Sequence, residues 1–481
     1  MKRKTQKAIG SALAAWMLLT GCQSQTAGPD NNKTDEAVSI TVWTYYNGEQ
    51  LSSFNDLVDE FNNTVGAEKG ITVISSSQGT VNDLETNVLN AAQGKVGADE
   101  VPNIFAAYAD TAYTIDRMGL AVDLSEFFSE EELDAYIGDY ISEGQFSGGD
   151  TIKIFPTAKS TEVFLLNKTD WEPFASECGF DYEDLSTMEG VLAVSQAYYE
   201  WTDAKTPAPD DGKAFFGRDA VANYFLIGSM QLGTELFHVE DGKMTLDFNK
   251  ETLRTLWDHY YVPLVKGYFA ATGRFRSDDV KTGNILSFVG SSSGATFFPD
   301  NVILGDTDSH PIEMLTLPCP QFKGGDRYAV QQGAGMVVTT GTDRQVEASV
   351  EFLKWFTDPE RNISFSVNSG YLPVTKKAND IDAIRDSKAK IDPVLEGVLE
   401  VAVETVNSNT LYTPKAFSDG TSARAILEHS MTDLALADRE TVKTRIQEGQ
   451  SMEDAAAEFL TDEYFDSWYE QTLKQLQAYE G

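Results

Sequence analysis

Apolar positions along the chain switch repeatedly between an alternating and a helical spacing. Residues 38–43 (Val-Ser-Ile-Thr-Val-Trp) alternate apolar with polar side chains, which predicts a strand. A helix is predicted next, because apolar residues recur at helical spacing at Leu51, Phe54, Leu57, Val58 and Phe61. Further strands are predicted at 71–74 and 102–108, each followed by a helix, around 84–92 and 113–118. Strands that alternate with helices favour an α/β fold with a largely parallel sheet.

The rest of the chain carries the same two spacings with a larger helical share. Between about 170 and 330, a helical face is predicted by Leu253, Leu256, Trp257, Tyr260 and Leu264. Strands are predicted at 284–289 and 334–338, and residues 290–294 (Gly-Ser-Ser-Ser-Gly) are predicted to form the loop after the first of them. The last part of the chain is rich in helix formers, with Pro414 and Gly420 as interruptions.

The charge balance excludes one large class of function. The chain has 481 residues, with 37 Lys and Arg against 75 Asp and Glu, and a formal net charge of −38. Binding to nucleic-acid phosphates needs surplus Lys and Arg, so a general nucleic-acid binder is excluded, and docking to an anionic membrane by charge is disfavoured. A hydrophobic share of 41% with 11% aromatic residues is typical of a folded globular protein.

The first 21 residues differ from the rest in charge and in apolar content. Four basic residues within the first seven positions precede an apolar run at 8–19 that is too short to cross a bilayer. A basic start and a short apolar run predict an export signal. The sequence Leu19-Thr-Gly-Cys22 resembles the bacterial lipobox, which implies that residues 1–21 are removed and that Cys22 carries the lipid. A plain signal peptide with an incidental cysteine is the alternative.

Residues 22–37 are predicted to form a flexible tether, because after the cysteine they contain no aromatic and no branched aliphatic side chain. No later segment is long and apolar enough to span a bilayer. We therefore expect an exported protein that a lipid at Cys22 anchors to the outer face of the cell membrane, with no other membrane contact. Cys178 and Cys319 could pair, but two cysteines are no disulfide framework, and we interpret them as free or buried thiols.

Several short segments, none of them specific alone, stand in a recognisable order along the chain. The first is the strand and helix from Ile40 to Asn62, followed by Val101-Pro-Asn-Ile-Phe105 and Met118-Gly-Leu-Ala-Val-Asp-Leu124. Later come 160–168 (Ser-Thr-Glu-Val-Phe-Leu-Leu-Asn-Lys), then 352–360 and 369–374. In this order they resemble the family 1 extracellular solute-binding proteins, which are the ligand-capturing subunits of bacterial ABC importers.

The resemblance implies a periplasmic-binding-protein-like fold, in which two α/β lobes flank a ligand cleft and the chain crosses between them at a hinge. One lobe would take 38–161 plus 335–385, and the other 162–334 plus 386–481. The resemblance further implies a monomer without a cofactor and without catalytic activity, which passes its ligand to separate ABC permease subunits.

Candidate ligand-binding residues are sought directly after each predicted strand, at the crossing and in the late helical part. The reason is that cleft ligands in α/β folds meet the loops at the carboxyl ends of strands. Aromatic faces stack on sugar rings, while amides and hydroxyls bond to sugar hydroxyls. The candidates with these chemistries are Tyr45, Tyr46, Gln78, Tyr108, Asp110, Lys159, Ser160, Thr161, Ser291, Ser292, Ser293, Gln332, Tyr412 and Arg424.

The ligand class stays open between two alternatives. A neutral sugar or oligosaccharide is favoured, because such ligands are frequent in the family that the chain resembles. The glycine-flanked serines at 291–293, together with Lys159 and Arg424, could instead cradle an anion. Segments 290–295 and 332–335 are similar to pieces of glycerol-3-phosphate binding proteins, so a phosphorylated polyol is the alternative ligand.

An exported carbohydrate-active enzyme is the rival from another functional class. Its acid pair would have to come from the 75 acidic residues, but no spacing among them singles out two. None of the four histidines has a second histidine four positions on, and no calcium-loop spacing appears, so no metal site is predicted.

Overall fold

A computed structural model describes residues 37–240, 242–304 and 308–481. The predictions for residues 1–36, which carry the export signal, Cys22 and nearly all of the tether, lie outside the described residues. The strands are β1 (Val38–Thr44), β2 (Ile71–Ser77), β3 (Ile104–Ala107), β4 (Glu162–Asn167), β5 (Phe216–Arg218), β6 (Phe237–Glu240), β7 (Lys243–Leu246), β8 (Ser287–Ser291), β9 (Asn301–Ile303), β10 (Ser309–Pro311), β11 (Met314–Pro318), β12 (Tyr328–Val330), β13 (Gly335–Val338) and β14 (Thr410–Tyr412).

Helices occupy most of the chain between these strands. They are α1 (Gly48–Asn63), α2 (Val65–Lys69), α3 (Val81–Ala92), α4 (Ala109–Arg117), α5 (Glu130–Asp134), α6 (Gly138–Ser142), α7 (Lys168–Cys178), α8 (Met188–Asp203), α9 (Val221–Gln231), α10 (Lys250–Lys266), α11 (Arg276–Lys281), α12 (Asp343–Phe356), α13 (Pro359–Ser369), α14 (Ile381–Arg385), α15 (Pro393–Ser408), α16 (Gly420–His429), α17 (Thr432–Gln447), α18 (Met452–Ala456) and α19 (Asp462–Gln477). Strands and helices alternate from β1 to α4, as the sequence predicts.

The first sheet brings the ends of three strands to one edge, because those strands run parallel. Its order is β13-β3-β1-β2, with β1 parallel to β2 and β3, and with β13 antiparallel to β3. β1 pairs with β2 over its full length, from Val38 opposite Ile71 to Thr44 opposite Ser77. The residues that follow β1, β2 and β3 therefore meet at the carboxyl edge of this sheet, where α/β folds bind their ligands.

The second sheet forms from later parts of the chain, in the order β11-β4-β8-β5. β4 is antiparallel to both of its neighbours. Successive side chains of a strand point to opposite faces, and β4 shows this clearly. Val163 and Leu165 join one hydrophobic core, while Phe164 and Leu166 join the other. This strand therefore lies between the two cores and belongs to both.

Each core combines strands of the sheets with the helices that cover them. The first core joins the first sheet to α1, whose Phe54, Leu57 and Phe61 are buried on one face, as their spacing predicts. The second core lies among α8, α9, α10 and α19, and it contains Trp257 stacked on Tyr261, with ring centroids 3.5 Å apart. Two sheets with two helical coverings give the α/β arrangement that the sequence predicts.

Three segments of the chain lie side by side where it passes between the sheets. Ser160 and Gln332 exchange backbone hydrogen bonds at 2.9 Å in both directions. The Lys159 backbone N–H donates to the Leu372 carbonyl oxygen at 3.1 Å. Helix α15 adds a further link, because it contacts both α13 and the second-sheet strand β11. We call the segments around 160, 332 and 372 the crossing segments.

The glycine- and serine-rich segment at 290–294 differs from its prediction. The strand predicted at 284–289 spans Ser287–Ser291, and a 3₁₀ helix from Ser292 to Phe297 follows it. Gly290 pairs with Val163 of β4 in an antiparallel ladder, and this pairing extends the strand into residues that a turn-rich composition assigns to a loop. The predicted loop is therefore wrong.

The cysteines and the membrane prediction can be compared with the described part of the chain. Cys178 is exposed, Cys319 is half-buried, and both are free thiols, which confirms their interpretation. None of the helices between residues 37 and 481 that the structure describes combines the length and the apolar composition needed to cross a bilayer.

Candidate functional site

A cavity of about 320 Å³ lies where the carboxyl edge of the first sheet faces helices of the second core. One wall comes from α3, from the residues after β3 and from the end of α6, and the opposite wall comes from α9 and α16. Gln331 and Gln332, on one of the crossing segments, join the two walls. The volume is at the lower end of the roughly 300–1,000 Å³ that is typical of small-molecule sites.

Aromatic side chains form flat apolar parts of both walls. Tyr108 lies directly before α4, and Tyr412 ends β14 and donates its hydroxyl to Glu235 Oε1 at 3.3 Å. Phe237 and Phe417 pack edge to face, with ring centroids 5.6 Å apart. Burial raises the pKa of Tyr108, so its hydroxyl stays neutral and can donate as well as accept a hydrogen bond. These rings offer a ligand apolar faces with polar edges.

Asp110 lies in the first turn of α4, and its carboxylate lies against the segment 417–420, where α16 begins. An ideal Cβ placed on Gly420 would lie only 2.6 Å from Asp110 Cγ, so this close approach requires glycine. Burial raises the pKa of Asp110 to about 6, against the lowering effects of a hydrogen bond from the Phe417 backbone and of the Arg424 charge. This carboxylate thus joins the two walls of the cavity directly.

Arg424, on α16, is held from behind by Asn223 of α9. Arg424 Nη2 donates to Asn223 Oδ1, and Asn223 Nδ2 donates to Glu162 Oε1 at 2.9 Å. Glu162 Oε2 in turn accepts a hydrogen bond from Arg218. The side chains of Asn223, Glu162 and Arg218 are all buried, while Arg424 is partly exposed and lines the cavity.

Glu143 lines the cavity beside the crossing segments. Lys159, whose side chain is fully buried, forms an ion pair with Glu143 and donates to the Gly333 carbonyl oxygen at 2.5 Å. Gln331 Nε2 also donates to Glu143 Oε2, at 2.9 Å. One carboxylate therefore links two of the crossing segments to the wall of the cavity, with its charge neutralised by Lys159.

One polar atom of the cavity wall lacks a protein partner. Gln332 Oε1 is buried, and none of the residues that the structure describes donates a hydrogen bond to it. Buried acceptors are ordinarily paired, and an unpaired one costs about 1–3 kcal/mol.

A family model described as bacterial extracellular solute-binding protein matches residues 56–391. This chain belongs to that family. The match confirms the family that the ordered sequence segments resemble, and it covers the strands, helices and crossing segments that build most of the cavity. A comparison of this solute-binding protein with curated proteins gives no match.

Solved structures of other binding proteins share the fold of this solute-binding protein. The cyclic α-maltosyl-1,6-maltose binding protein from Arthrobacter globiformis has a TM-score of 0.65 at 17% identity, with 92% of this chain and 100% of that chain covered. UgpB from Mycobacterium tuberculosis, in complex with glycerophosphocholine, has a TM-score of 0.63 at 18% identity, with coverage of 86% and 98%. An ABC substrate-binding protein from Listeria monocytogenes, in complex with cycloalternan, has a TM-score of 0.63 at 15% identity, with coverage of 92% and 100%. These likenesses confirm the predicted periplasmic-binding-protein-like fold of two α/β lobes.

The cavity of this solute-binding protein gathers five of the predicted ligand-binding residues. They are Tyr108, Asp110, Gln332, Tyr412 and Arg424. The first two follow β3, Gln332 lies on a crossing segment, and the last two come from the late part of the chain. Residues more than 300 positions apart in the sequence therefore meet at one site.

Three further predicted residues, from the first part of the chain, lie outside the lining of the cavity. The Tyr45 hydroxyl lies 3.2 Å from the Tyr371 hydroxyl. Tyr46 is buried in the first core. Gln78 is half-buried, and its Oε1 accepts a hydrogen bond from Asn87 at 3.0 Å. A role in ligand binding stays a prediction for these three residues.

The predicted residues at the crossing are also outside the lining. Lys159 is turned to its ion pair with Glu143, and Ser160 takes part in the backbone pairing between crossing segments. The Thr161 hydroxyl donates to the Val330 carbonyl oxygen at 2.9 Å. These side chains are buried and hold the crossing segments together, which places them next to the cavity wall but not on it.

The three predicted serines bond to one another and to the backbone. The Ser291 and Ser293 hydroxyls lie 3.0 Å apart, and the Ser293 carbonyl oxygen accepts from Gln50 Nε2 at 3.2 Å. The Ser292 backbone N–H donates to the Thr161 carbonyl oxygen at 2.8 Å. The structure therefore does not bring these serines together with Arg424 at the cavity, and an anion cradle made from them stays a prediction.

Other cavity residues of this solute-binding protein have no counterpart among the sequence predictions. Glu143 follows α6, a helix of five residues that is too short for periodicity to reveal. Phe237 belongs to a short hairpin of β6 and β7. Asn223 could have been recognised from the sequence, because it is the one amide within the otherwise apolar and aromatic run 221–227. A buried amide in such a run needs partners, and here they are Arg424 and Glu162.

Proposed function

We propose that this solute-binding protein captures a sugar or oligosaccharide in the cavity and delivers it to an ABC importer, without covalent chemistry. The observation that carries the proposal is the composition of the wall, in which aromatic rings stand beside polar groups that can meet hydroxyls. Tyr108 and Tyr412 offer aromatic rings, while the Asp110 carboxylate and the Gln332 amide offer hydrogen-bonding groups. Structural neighbours that bind cyclic α-maltosyl-1,6-maltose and cycloalternan support this ligand class.

Closure of two lobes around the ligand is the proposed mechanism. The lobes would be 38–161 plus 335–385 and 162–334 plus 386–481, with the crossing segments as the hinge. A ligand that touches both walls stabilises the closed state in proportion to its extra contacts there, so binding shifts the population towards closure. The closed monomer would then dock on permease subunits, which are separate chains.

A phosphorylated polyol is a second candidate ligand, because the wall formed by the late part of the chain is cationic. Arg424 presents a guanidinium to the cavity. Lys415 lines the same wall, is exposed, and forms no ion pair with any residue in the described part of the chain. UgpB, which binds glycerophosphocholine, supports this alternative as a structural neighbour. Guanidinium and ammonium groups are the usual partners of phosphate.

The lipid anchor at Cys22 is part of the same proposal. A protein that hands its ligand to a membrane-embedded permease gains from being held at the membrane surface, and the acidic body gives no electrostatic reason to stay there. Diacylation would supply the anchoring that a single acyl chain does not. The proposed location is the outer face of the cell membrane.

Calorimetric titration with maltose, maltotriose and glycerol 3-phosphate tests the proposal, with small-angle scattering as the test of closure. We expect saturable binding of one ligand per chain and a smaller radius of gyration at saturation. Sustained release of product from a glycan by the purified protein would instead support the exported carbohydrate-active enzyme. Saturation without any compaction would argue against lobe closure.

A further inference from the structure

Asn223 lies between two groups that together dictate the orientation of its side-chain amide. Arg424 carries only donors, so its Nη2 must face the amide oxygen. Both oxygens of Glu162 accept hydrogen bonds, one from Asn223 and one from Arg218, so Glu162 must face the amide nitrogen. With no exposed surface, the Asn223 side chain has no solvent to turn towards. The amide therefore has one orientation. Through it, the position of the Glu162 carboxylate determines where the Arg424 guanidinium is held.

The far end of this hydrogen-bonded chain is fixed in the second sheet. Glu162 begins β4 and pairs with Ser291 of β8, and Arg218 ends β5 and pairs with Val289 of the same strand. Three neighbouring strands thus hold the carboxylate and its guanidinium partner in place. Glu162 and Arg218 are 3% and 5% exposed, so their mutual position is set by the sheet and not by solvent.

The helices that carry Asn223 and Arg424 are also fixed to each other. Glu428, one turn after Arg424 on α16, accepts hydrogen bonds from the backbone N–H groups of Val221 and Ala222, at 3.1 and 2.8 Å. The helix itself provides no acceptor for these first N–H groups of α9, so Glu428 supplies one. A carboxylate at this end of a helix also complements the helix dipole. The base of α16 is therefore clamped to the start of α9, next to Asn223.

The arrangement leaves most of the Arg424 guanidinium free for a ligand. A guanidinium has five N–H donors, and the hydrogen bond to Asn223 uses one of them. Among the residues that the structure describes, Arg424 forms no ion pair within 4.0 Å, although its charge acts on the nearby carboxylates of Asp110 and Glu162. A donor group that buried neighbours hold in place, and that keeps most of its N–H groups free, is suited to an oxyanion.

We propose that Asn223 and Glu162 are positioning residues of the ligand site, which hold the Arg424 guanidinium towards the cavity and thereby set the preference of the site for ligands that carry an oxyanion. The inference rests on the proposed function, because it takes this cavity to be the ligand site. It assigns selectivity to two residues that act on the ligand by holding Arg424: Asn223, which is itself part of the cavity wall, and Glu162, which lies outside the lining of the cavity.

Two variants separate a positioning role from a merely structural or electrostatic one. Asn223→Leu removes both amide hydrogen bonds while it keeps the number and branching of the side-chain heavy atoms. Glu162→Gln removes a negative charge near Arg424, so simple Coulomb attraction predicts tighter anion binding. The positioning role predicts weaker anion binding, because the new amide lets Asn223 turn its nitrogen towards Arg424. Ser229→Ala is the matched control, since Ser229 is buried on the same helix α9, lies outside the cavity lining, and its hydroxyl has no hydrogen-bond partner among the described residues.

The experiment is calorimetric titration of the purified protein with glycerol 3-phosphate and with maltose, with thermal melting of each variant as a check of folding. We expect both variants to weaken glycerol 3-phosphate binding about tenfold or more, equal to about 1.4 kcal/mol, and to weaken it more than they weaken maltose binding. The Ser229→Ala protein should change the binding of either ligand less than about twofold. Unchanged or tighter glycerol 3-phosphate binding by Glu162→Gln overturns the inference, and so does a wild type that binds this anion no better than Arg424→Ala. If maltose still binds in those cases, the proposed function stands alone. If the wild type binds neither probe, both fall.

Discussion

The Asp110 carboxylate lies so close to the backbone of Gly420 that an added Cβ would stand 2.6 Å from its carboxyl carbon. Asp110 belongs to α4, beside the first sheet, and Gly420 begins α16, which packs against the second core through Ala423 and Leu427. The two walls of the cavity therefore touch at this point through protein groups alone. This contact has consequences for stability, for ligand binding and for the response to pH.

Replacing Gly420 with alanine should push the walls apart. In the first turn of a helix, alanine would otherwise stabilise the protein by up to about 1 kcal/mol relative to glycine. Because the new methyl group would collide with the Asp110 carboxylate, we expect a lower melting temperature and weaker ligand binding. Gly397→Ala is the matched control, since a Cβ at this α15 position meets nothing within 4 Å and should raise the melting temperature. An equal rise in both variants would contradict the contact.

Asp110 should also give the protein a pH-dependent stability. Burial raises its pKa to about 6, above the ordinary value of about 3.9, so folding favours the protonated carboxyl. The resulting stabilisation is complete below pH about 4 and is lost as the pH rises through about 6. The Asp110→Asn side chain cannot titrate, so only the wild type loses this stabilisation as the pH rises. The free energy of unfolding of the variant minus that of the wild type should therefore increase between pH about 4 and about 6, by at most about 3 kcal/mol.

Urea unfolding of both proteins across this pH range measures the difference. Asp219, whose pKa burial also raises to about 6, titrates in both proteins and cancels in the comparison. A difference that stays flat from pH about 4 to about 7 would show that the Asp110 carboxyl is not buried as described.

The buried ion pair at the crossing segments should be costly to break from one side. Lys159→Met leaves the Glu143 carboxylate buried without its cation, and such losses cost about 3–5 kcal/mol. Adding Glu143→Gln removes the uncompensated charge, so the double variant should be more stable than the Lys159 single variant. Denaturant unfolding of the wild type, both single variants and the double variant gives the coupling energy. A double variant less stable than the single one would show that the pair is not the main interaction there.

Cell fractionation tests the predicted anchor. Cys22→Ser removes the thioether that the two acyl chains require, so we expect the protein to move from the membrane fraction to the medium or the soluble fraction. The body should keep its melting temperature, because residues 37–481 form a unit of their own. Membrane retention of a Cys22→Ser protein from which residues 1–21 have been removed, as mass spectrometry shows, would rule out lipid anchoring at this cysteine.

The parts of the fold that the sequence predicts are those in which the signal is local. The spacing of Phe54, Leu57 and Phe61 predicts α1, because a helix repeats every 3.6 residues whatever its neighbours are. Tyr108 and Asp110 can be placed at the site because they follow β3, and the carboxyl ends of parallel strands meet. In both cases the nearest few residues carry the information.

Other parts could not be predicted, because they depend on contacts between distant segments. The strand β8 extends to Ser291 only because β4 pairs with it, so a turn-rich composition misled the prediction of a loop. Glu143 reaches the cavity because Lys159 and Gln331 hold its carboxylate there. The buried position of Glu162 follows from the order of the second sheet, which no single-sequence pattern records.

The most direct test of the central claim, that the cavity captures a solute, is calorimetric titration of the wild type and of Tyr108→Ala with maltose, maltotriose and glycerol 3-phosphate. Tyr182→Ala serves as the matched control, because Tyr182 is exposed and lies outside the cavity lining. We predict that at least one ligand saturates the wild type and the control at one site per chain, and that Tyr108→Ala weakens its binding about tenfold or more. Saturable binding that is equally strong in all three proteins would contradict the assignment of this cavity as the ligand site.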